Sequence, residues 1–98
     1  MKNNRLSKST KPAPDIVAAL CSLRNEKEMR QFLGDLLSPM EWESIQDRWR
    51  IAWMKHNGAS YSDITNSTSI SSTTIARVVK CLRKGKGGYR VALQRLAA

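Results

Sequence analysis

Several things are scarce in this 98-residue chain. There are two cysteines and one histidine. Cys21 and Cys81 stand far apart, with no CxxC and only His56 beside them, so no zinc ligand set can be assembled. Reduced, buried thiols are expected rather than a disulfide. No stretch approaches the roughly 18 apolar residues of a membrane-spanning helix. The basic N-terminus lacks the apolar segment of a secretory signal, so a cytoplasmic, nucleoid-associated protein with no membrane partner is expected. His56 has no nucleophile nearby in the pattern, and nothing points to an enzyme, a cofactor or a metal. The stretch Lys84-Gly85-Lys86-Gly87-Gly88 follows a helical pattern and lacks the spacing of a nucleotide-binding loop. It reads as a helix stop and a joint.

Acidic residues are missing from both ends. Residues 1–14 carry Lys2, Arg5, Lys8 and Lys11 and no acid, and residues 64–98 carry seven bases and no acid. All eight acids lie between Asp15 and Asp63. The formal charge is +9. A field of one sign at both ends favours a polyanion, with nucleic acid first and an anionic membrane surface second. The sequence divides into a flexible basic arm over 1–14, a helical domain over 15–84, and a glycine-rich joint with a short C-terminal helix over 85–98.

What is present is helical. Asp15 can cap a helix from Ile16 to about Leu23. Met29, Phe32, Leu33, Leu36 and Leu37 form one face of a second, from about Asn25. Ser38-Pro39-Met40-Glu41 combines an N-cap, a proline at the first helical position and a capping box. This third helix should end near His56, at Asn57-Gly58. Trp42, Ile45, Trp49, Ala52 and Trp53 make one apolar stripe, while Met40, Ile51 and Met54 lie nearly opposite. A surface helix needs one buried side; this one asks for two. A chain this short can scarcely cover both alone, so a homodimer, interlocked through this helix, is predicted.

Ser60-Tyr61-Ser62-Asp63 is a second capping box and opens a short helix to about Ser67. A turn at Thr68-Ser69-Ile70 follows, and Ser71 or Ser72 caps a longer helix to about Lys84. That is a helix-turn-helix outline. Ile64 faces in, Ile70 plugs the turn, and Ile75, Val78, Val79 and Leu82 form the inner stripe. The second helix of such a motif offers its N-terminal residues to base edges in the major groove. The candidate DNA-binding residues are therefore Ser60, Tyr61, Ser71, Ser72, Thr73, Thr74, Ala76, Arg77, Lys80 and Lys84. Small hydroxyls permit close approach, and the cations reach guanine edges or phosphate. Two positions depart from common motifs. Ser69 stands where a left-handed glycine is usual, at a cost of about 1 kcal/mol. Thr65 stands where alanine is usual and must fit between the helices.

The segments LLSPMEWESIQDRWRIAWM and ISSTTIARVVKCL, with GKGGY at 85–89, resemble the Trp repressor superfamily, and most closely its YerC/YecD-type branch. The resemblance covers roughly residues 15–89. It implies an all-α, intertwined homodimer with a helix-turn-helix in each subunit. It also implies a DNA-binding transcriptional regulator, expected to be a repressor on a palindromic site. In tryptophan-sensing members two arginines and nearby hydroxyls hold the corepressor; Ser38, Arg48, Thr74 and Arg77 match those positions. Val78 and Cys81 stand where the sensors carry glycine and serine, and a branched Val78 would crowd an amino-acid corepressor. A non-specific architectural DNA binder, an interaction module and an amino-acid-responsive repressor remain the alternatives.

Overall fold

The computed structural model describes residues 11–97, and all of its regular structure is helical. Six helices run in order: α1 Ile16–Cys21, α2 Glu26–Leu36, α3 Pro39–His56, α4 Tyr61–Ser67, α5 Ser72–Lys84 and α6 Gly88–Ala97. They fall into two compact units that divide after Leu36. The first ten residues of the basic arm lie outside the described part.

In the first unit, α1 is capped by Asp15, whose carboxylate accepts from the Ala18 N–H at 2.9 Å. Asn25 does the same for α2, accepting from Glu28 N–H at 2.9 Å. Glu28 in turn accepts from the Arg24 N–H at 2.7 Å. Helix α1 is shorter than the sequence pattern implies, because Ser22 turns its hydroxyl onto the Ala19 carbonyl and closes the helix. Neither α1 nor α2 contains a fully buried residue, and Ile16, Val17 and Leu36 are exposed. Cys21 is exposed too, and Cys81 is only half-buried, so the expectation of buried thiols fails; both are free.

The second unit carries the core. Ile51 and Ala52 of α3, Ile64 of α4, Ile75 and Val78 of α5, and Leu93 of α6 are buried together. Trp49, Met54, Ile70, Val79, Leu82 and Tyr89 pack around them. Helix α3 lies against α5 and α6, α4 packs on α5, and α5 packs on α6. Each helix thus buries one stripe, and α5 buries the isoleucine–valine stripe that its spacing predicts.

Two signals set the ends of α3. At its start Glu41 N–H donates to Ser38 Oγ at 3.2 Å, and Ser38 N–H donates to Glu41 Oε1 at 2.9 Å. At its end Gly58 takes φ +91°, a left-handed backbone that a side chain rarely adopts. The joint after α5 has two glycine-dependent points. A Cβ on Gly85 would collide with the Cys81 carbonyl, and Gly87 has φ +88°. The short C-terminal helix expected after the joint runs over Gly88–Ala97, and burial of Leu93 against the core holds it in place.

The two faces of α3 fare differently. The buried pair, Ile51 and Ala52, takes one residue from each predicted stripe. Met40 remains 80% exposed, Ile45 45% and Trp53 38%. Trp49 is half-buried and lies 6.2 Å, centroid to centroid, from Trp53. The other helices of the second unit therefore cover only part of the apolar girth of α3.

Candidate nucleic-acid interface

Helices α4 and α5 with their turn form the helix-turn-helix. The short helix α4 begins at Ser60, whose Oγ accepts from the Asp63 N–H at 3.0 Å. Asp63 accepts from the Ser60 N–H at 2.8 Å and closes the capping box. Ile64 anchors α4 against the core, and the exposed side of the helix carries Tyr61, which is 46% exposed.

The turn is built differently from the sequence expectation. No residue other than glycine has a positive φ among the described residues, so Ser69 is not in the left-handed region. Thr68 replaces that device. Its backbone is extended, its hydroxyl donates to the Ile64 carbonyl at 2.8 Å, and the Ile70 N–H donates to the same hydroxyl at 3.3 Å. A side chain thus meets the helix-end groups that a glycine turn would leave to the backbone. The cost assigned to Ser69 is accordingly not incurred. Thr65 is also corrected: it is exposed and donates to the Ser62 carbonyl at 3.0 Å, so it does not lie between the helices.

Helix α5 starts at Ser71. Its Oγ accepts from the Thr74 N–H at 3.3 Å and donates to Thr74 Oγ1 at 3.0 Å. The hydroxyls of Ser60, Ser71 and Thr74 are therefore engaged in ending or starting helices, and Thr74 is half-buried. The remaining candidates, Ser72, Thr73, Ala76, Arg77, Lys80 and Lys84, are all exposed, and all but Ser72, at the helix start, lie on the side away from buried Ile75 and Val78. Among the described residues none of their side chains makes a hydrogen bond or ion pair within the chain; the one ion pair joins Arg30 to Glu26. No acidic residue lies on α5 or beyond it. The outward face of α5 thus offers free hydroxyls, one small methyl and uncompensated positive charge.

The positions matched to corepressor residues are less unified. Arg48 lines a shallow cleft of about 390 Å³ along α3, with Leu37, Met40, Glu41, Ser44 and Ile45. Ser38 caps α3, while Thr74 and Arg77 lie on α5 outside that cleft. Glu41 brings a negative charge to the same wall.

Over residues 14–97 the sequence matches the family described as Trp repressor protein. The chain belongs to that family. It is also 35% identical over 78 residues to the protein YerC of Bacillus subtilis (strain 168), covering 80% of this chain and 75% of that one. No solved structure matches it significantly. The likeness to the YerC branch and the all-helical architecture read from the sequence both hold. Members of the Trp repressor family are helix-turn-helix DNA-binding regulators, and no helix among the described residues is long and apolar enough to cross a membrane.

The two capping boxes have an acid-dependent consequence. Hydrogen bonds from the Ser38 backbone and hydroxyl hold the Glu41 carboxyl below its usual value, and Ser60 does the same for Asp63. Hydrogen bonds to the ionised form are the cause. Their stabilising contribution is complete above the ordinary carboxylate values of 4.5 and 3.8 and is lost as pH falls through the lower folded values. Thermal melts from pH 6 down to pH 3 should show a falling midpoint, and Asp63→Asn with Glu41→Gln should flatten that acid limb. An unchanged limb in the double variant would assign it to other carboxylates.

Proposed function

We propose that this member of the Trp repressor family is a sequence-specific transcriptional regulator, a repressor, that binds a palindromic DNA site as a homodimer. The observation that carries the reading is the outward face of α5. Thr73, Ala76, Arg77 and Lys80 are exposed, unpaired and turned from the buried stripe, with exposed Ser72 at the start of the helix beside them. In a helix-turn-helix this face enters the major groove. Thr73 and Ala76 can meet thymine methyls, and Arg77 and Lys80 can meet guanine O6 and N7. Tyr61 and the α4 start, with Lys84 at the far end of α5, flank that face and suit phosphates. The hydroxyls of Ser60, Ser71 and Thr74 contribute through the caps that orient the two helices.

The dimer is supported by the open side of α3. Apolar surface at Ile45 and Trp53 on one stripe, and at Met40 on the other, asks for a cover. A second copy, related by a two-fold axis, would supply it and set two reading heads about 34 Å apart, one turn of DNA. The division into a basic arm, a helical dimerisation and reading domain, and a C-terminal joint and helix follows the same reading.

The test is selection of bound sequences from random duplex DNA, with and without added amino acids. An enriched palindrome with half-sites one turn apart is expected. Selection of no motif, with scrambled DNA competing equally, would replace this reading with architectural binding. Enrichment that appears only with an added amino acid would make Arg48, Thr74 and Arg77 an effector site.

A further inference from the structure

A second cleft lies behind the reading face, where the C-terminal ends of α3 and α5 meet α6. It has a volume of about 290 Å³ and is lined by Lys55, His56, Leu82, Arg90, Leu93 and Gln94. Leu82 and buried Leu93 form its apolar floor. Lys55, His56 and Arg90 supply its polar wall, and none is paired with a carboxylate among the described residues.

We propose that this cleft binds a small organic anion, with a carboxylate or phosphate head and a compact apolar body. One of the three basic groups is held in place. One guanidinium nitrogen of Arg90 donates to the Leu82 carbonyl at 2.9 Å, which fixes that side chain beside the floor. A guanidinium has five N–H donors, so most stay free for a ligand. The imidazole of His56 lies 6.4 Å, centroid to centroid, from the Trp53 ring. Cations near helix ends often serve only to offset the helix dipole. Here that role is too small. Two helix C-termini supply about half a negative charge each, whereas Lys55 and Arg90 bring two full positive charges. The surplus is positive, over an apolar base. The volume is at the small end of the range for ligand pockets, roughly 300–1,000 Å³, and favours a one-ring or short-chain molecule. A planar carboxylate or a phosphate can take two parallel hydrogen bonds from the arginine.

This site shares no residue with the outward face of α5 and stands independently of the DNA reading, so its test needs no DNA. The full chain, labelled with ¹⁵N, is titrated with phenyl phosphate, phenylacetate, inorganic phosphate and uncharged benzyl alcohol while amide resonances are followed. Phenyl phosphate or phenylacetate should shift the His56, Leu82 and Leu93 signals to saturation. Inorganic phosphate should bind more weakly, and benzyl alcohol more weakly still. Lys55→Gln should weaken the organic anion by roughly tenfold, as expected when one charge-assisted hydrogen bond is removed. Lys86→Gln, a basic position outside the cleft, should leave binding unchanged. Arg90→Gln should weaken binding further, but Lys55→Gln decides the matter because the Lys55 side chain makes no hydrogen bond among the described residues. Any of three results would overturn the site. Benzyl alcohol could bind as tightly as the anions, Lys86→Gln could cost as much as Lys55→Gln, or the cleft signals could stay fixed at millimolar ligand.

Discussion

Replacing Arg77 by alanine should lower affinity for the selected DNA site by roughly ten- to a hundredfold, since one good side-chain pair with a base contributes about 1–3 kcal/mol of discrimination. Binding to random DNA should fall far less. The expectation rests on position. Arg77 is exposed, and it follows buried Ile75 by two residues and precedes buried Val78 by one. Its side chain therefore leaves the helix on the side turned from the core, and no acid among the described residues engages it. Stability should hardly change, because the core packing is left intact. The useful comparison is with Lys84→Ala, at the far end of α5. Removing a phosphate-binding cation there should weaken specific and random DNA alike and reduce the salt slope by about one. Competition titrations at two salt concentrations would separate the cases. Equal losses for Arg77→Ala on both kinds of DNA would reduce that side chain to a phosphate clamp and remove the main support for base reading.

The second large effect concerns α3. Lysine at both Ile45 and Trp53 should prevent assembly and, with it, much of the folded structure. These residues are 45% and 38% exposed within one chain, although Ala52 of the same stripe is buried. A second copy laid over them would cover the part of each side chain that is still exposed, contributing roughly 1 kcal/mol apiece, under half of the full-burial value. Two charges introduced there would face desolvation instead. If folding and assembly are one process, wild-type stability should rise by about 1.4 kcal/mol for each tenfold rise in concentration. Sedimentation and thermal melts over a hundredfold concentration range check both points. A folded single subunit whose midpoint ignores concentration would end the dimer reading. A double variant that remains a folded dimer would move the interface away from this stripe.

Much of the helical frame was legible because its signals are local. Ser38 and Glu41, like Ser60 and Asp63, cap helices within three residues of one another, and the structure contains both boxes. Gly58 ends α3 because its backbone angle is one that few other residues tolerate. The spacing of Ile64, Ile75 and Val78 marks the buried side of the motif, and all three are buried. Other features had no local signature. Analogy with common motifs placed strain at Ser69 and bulk at Thr65. The turn instead depends on whether the Thr68 hydroxyl reaches back to Ile64, and a string of serines and threonines does not distinguish that hydroxyl from its neighbours. Likewise nothing near Arg90 in the sequence announces its bond to the Leu82 carbonyl eight positions earlier.

The sequence by itself determined where helices start and stop, which stripe of α5 turns inward, and that both ends of the chain carry positive charge without acids. Those properties depend on neighbours within a turn or two, or on composition alone. Only the tertiary structure decided which quadrant of α3 is covered and which apolar residues stay open. It also decided which hydroxyls on the motif are engaged in capping, and it brought Lys55, His56 and Arg90 around one cleft. Those outcomes depend on how α5 and α6 dock against α3. Docking is set by shape and packing summed over distant residues, which no short window of sequence contains.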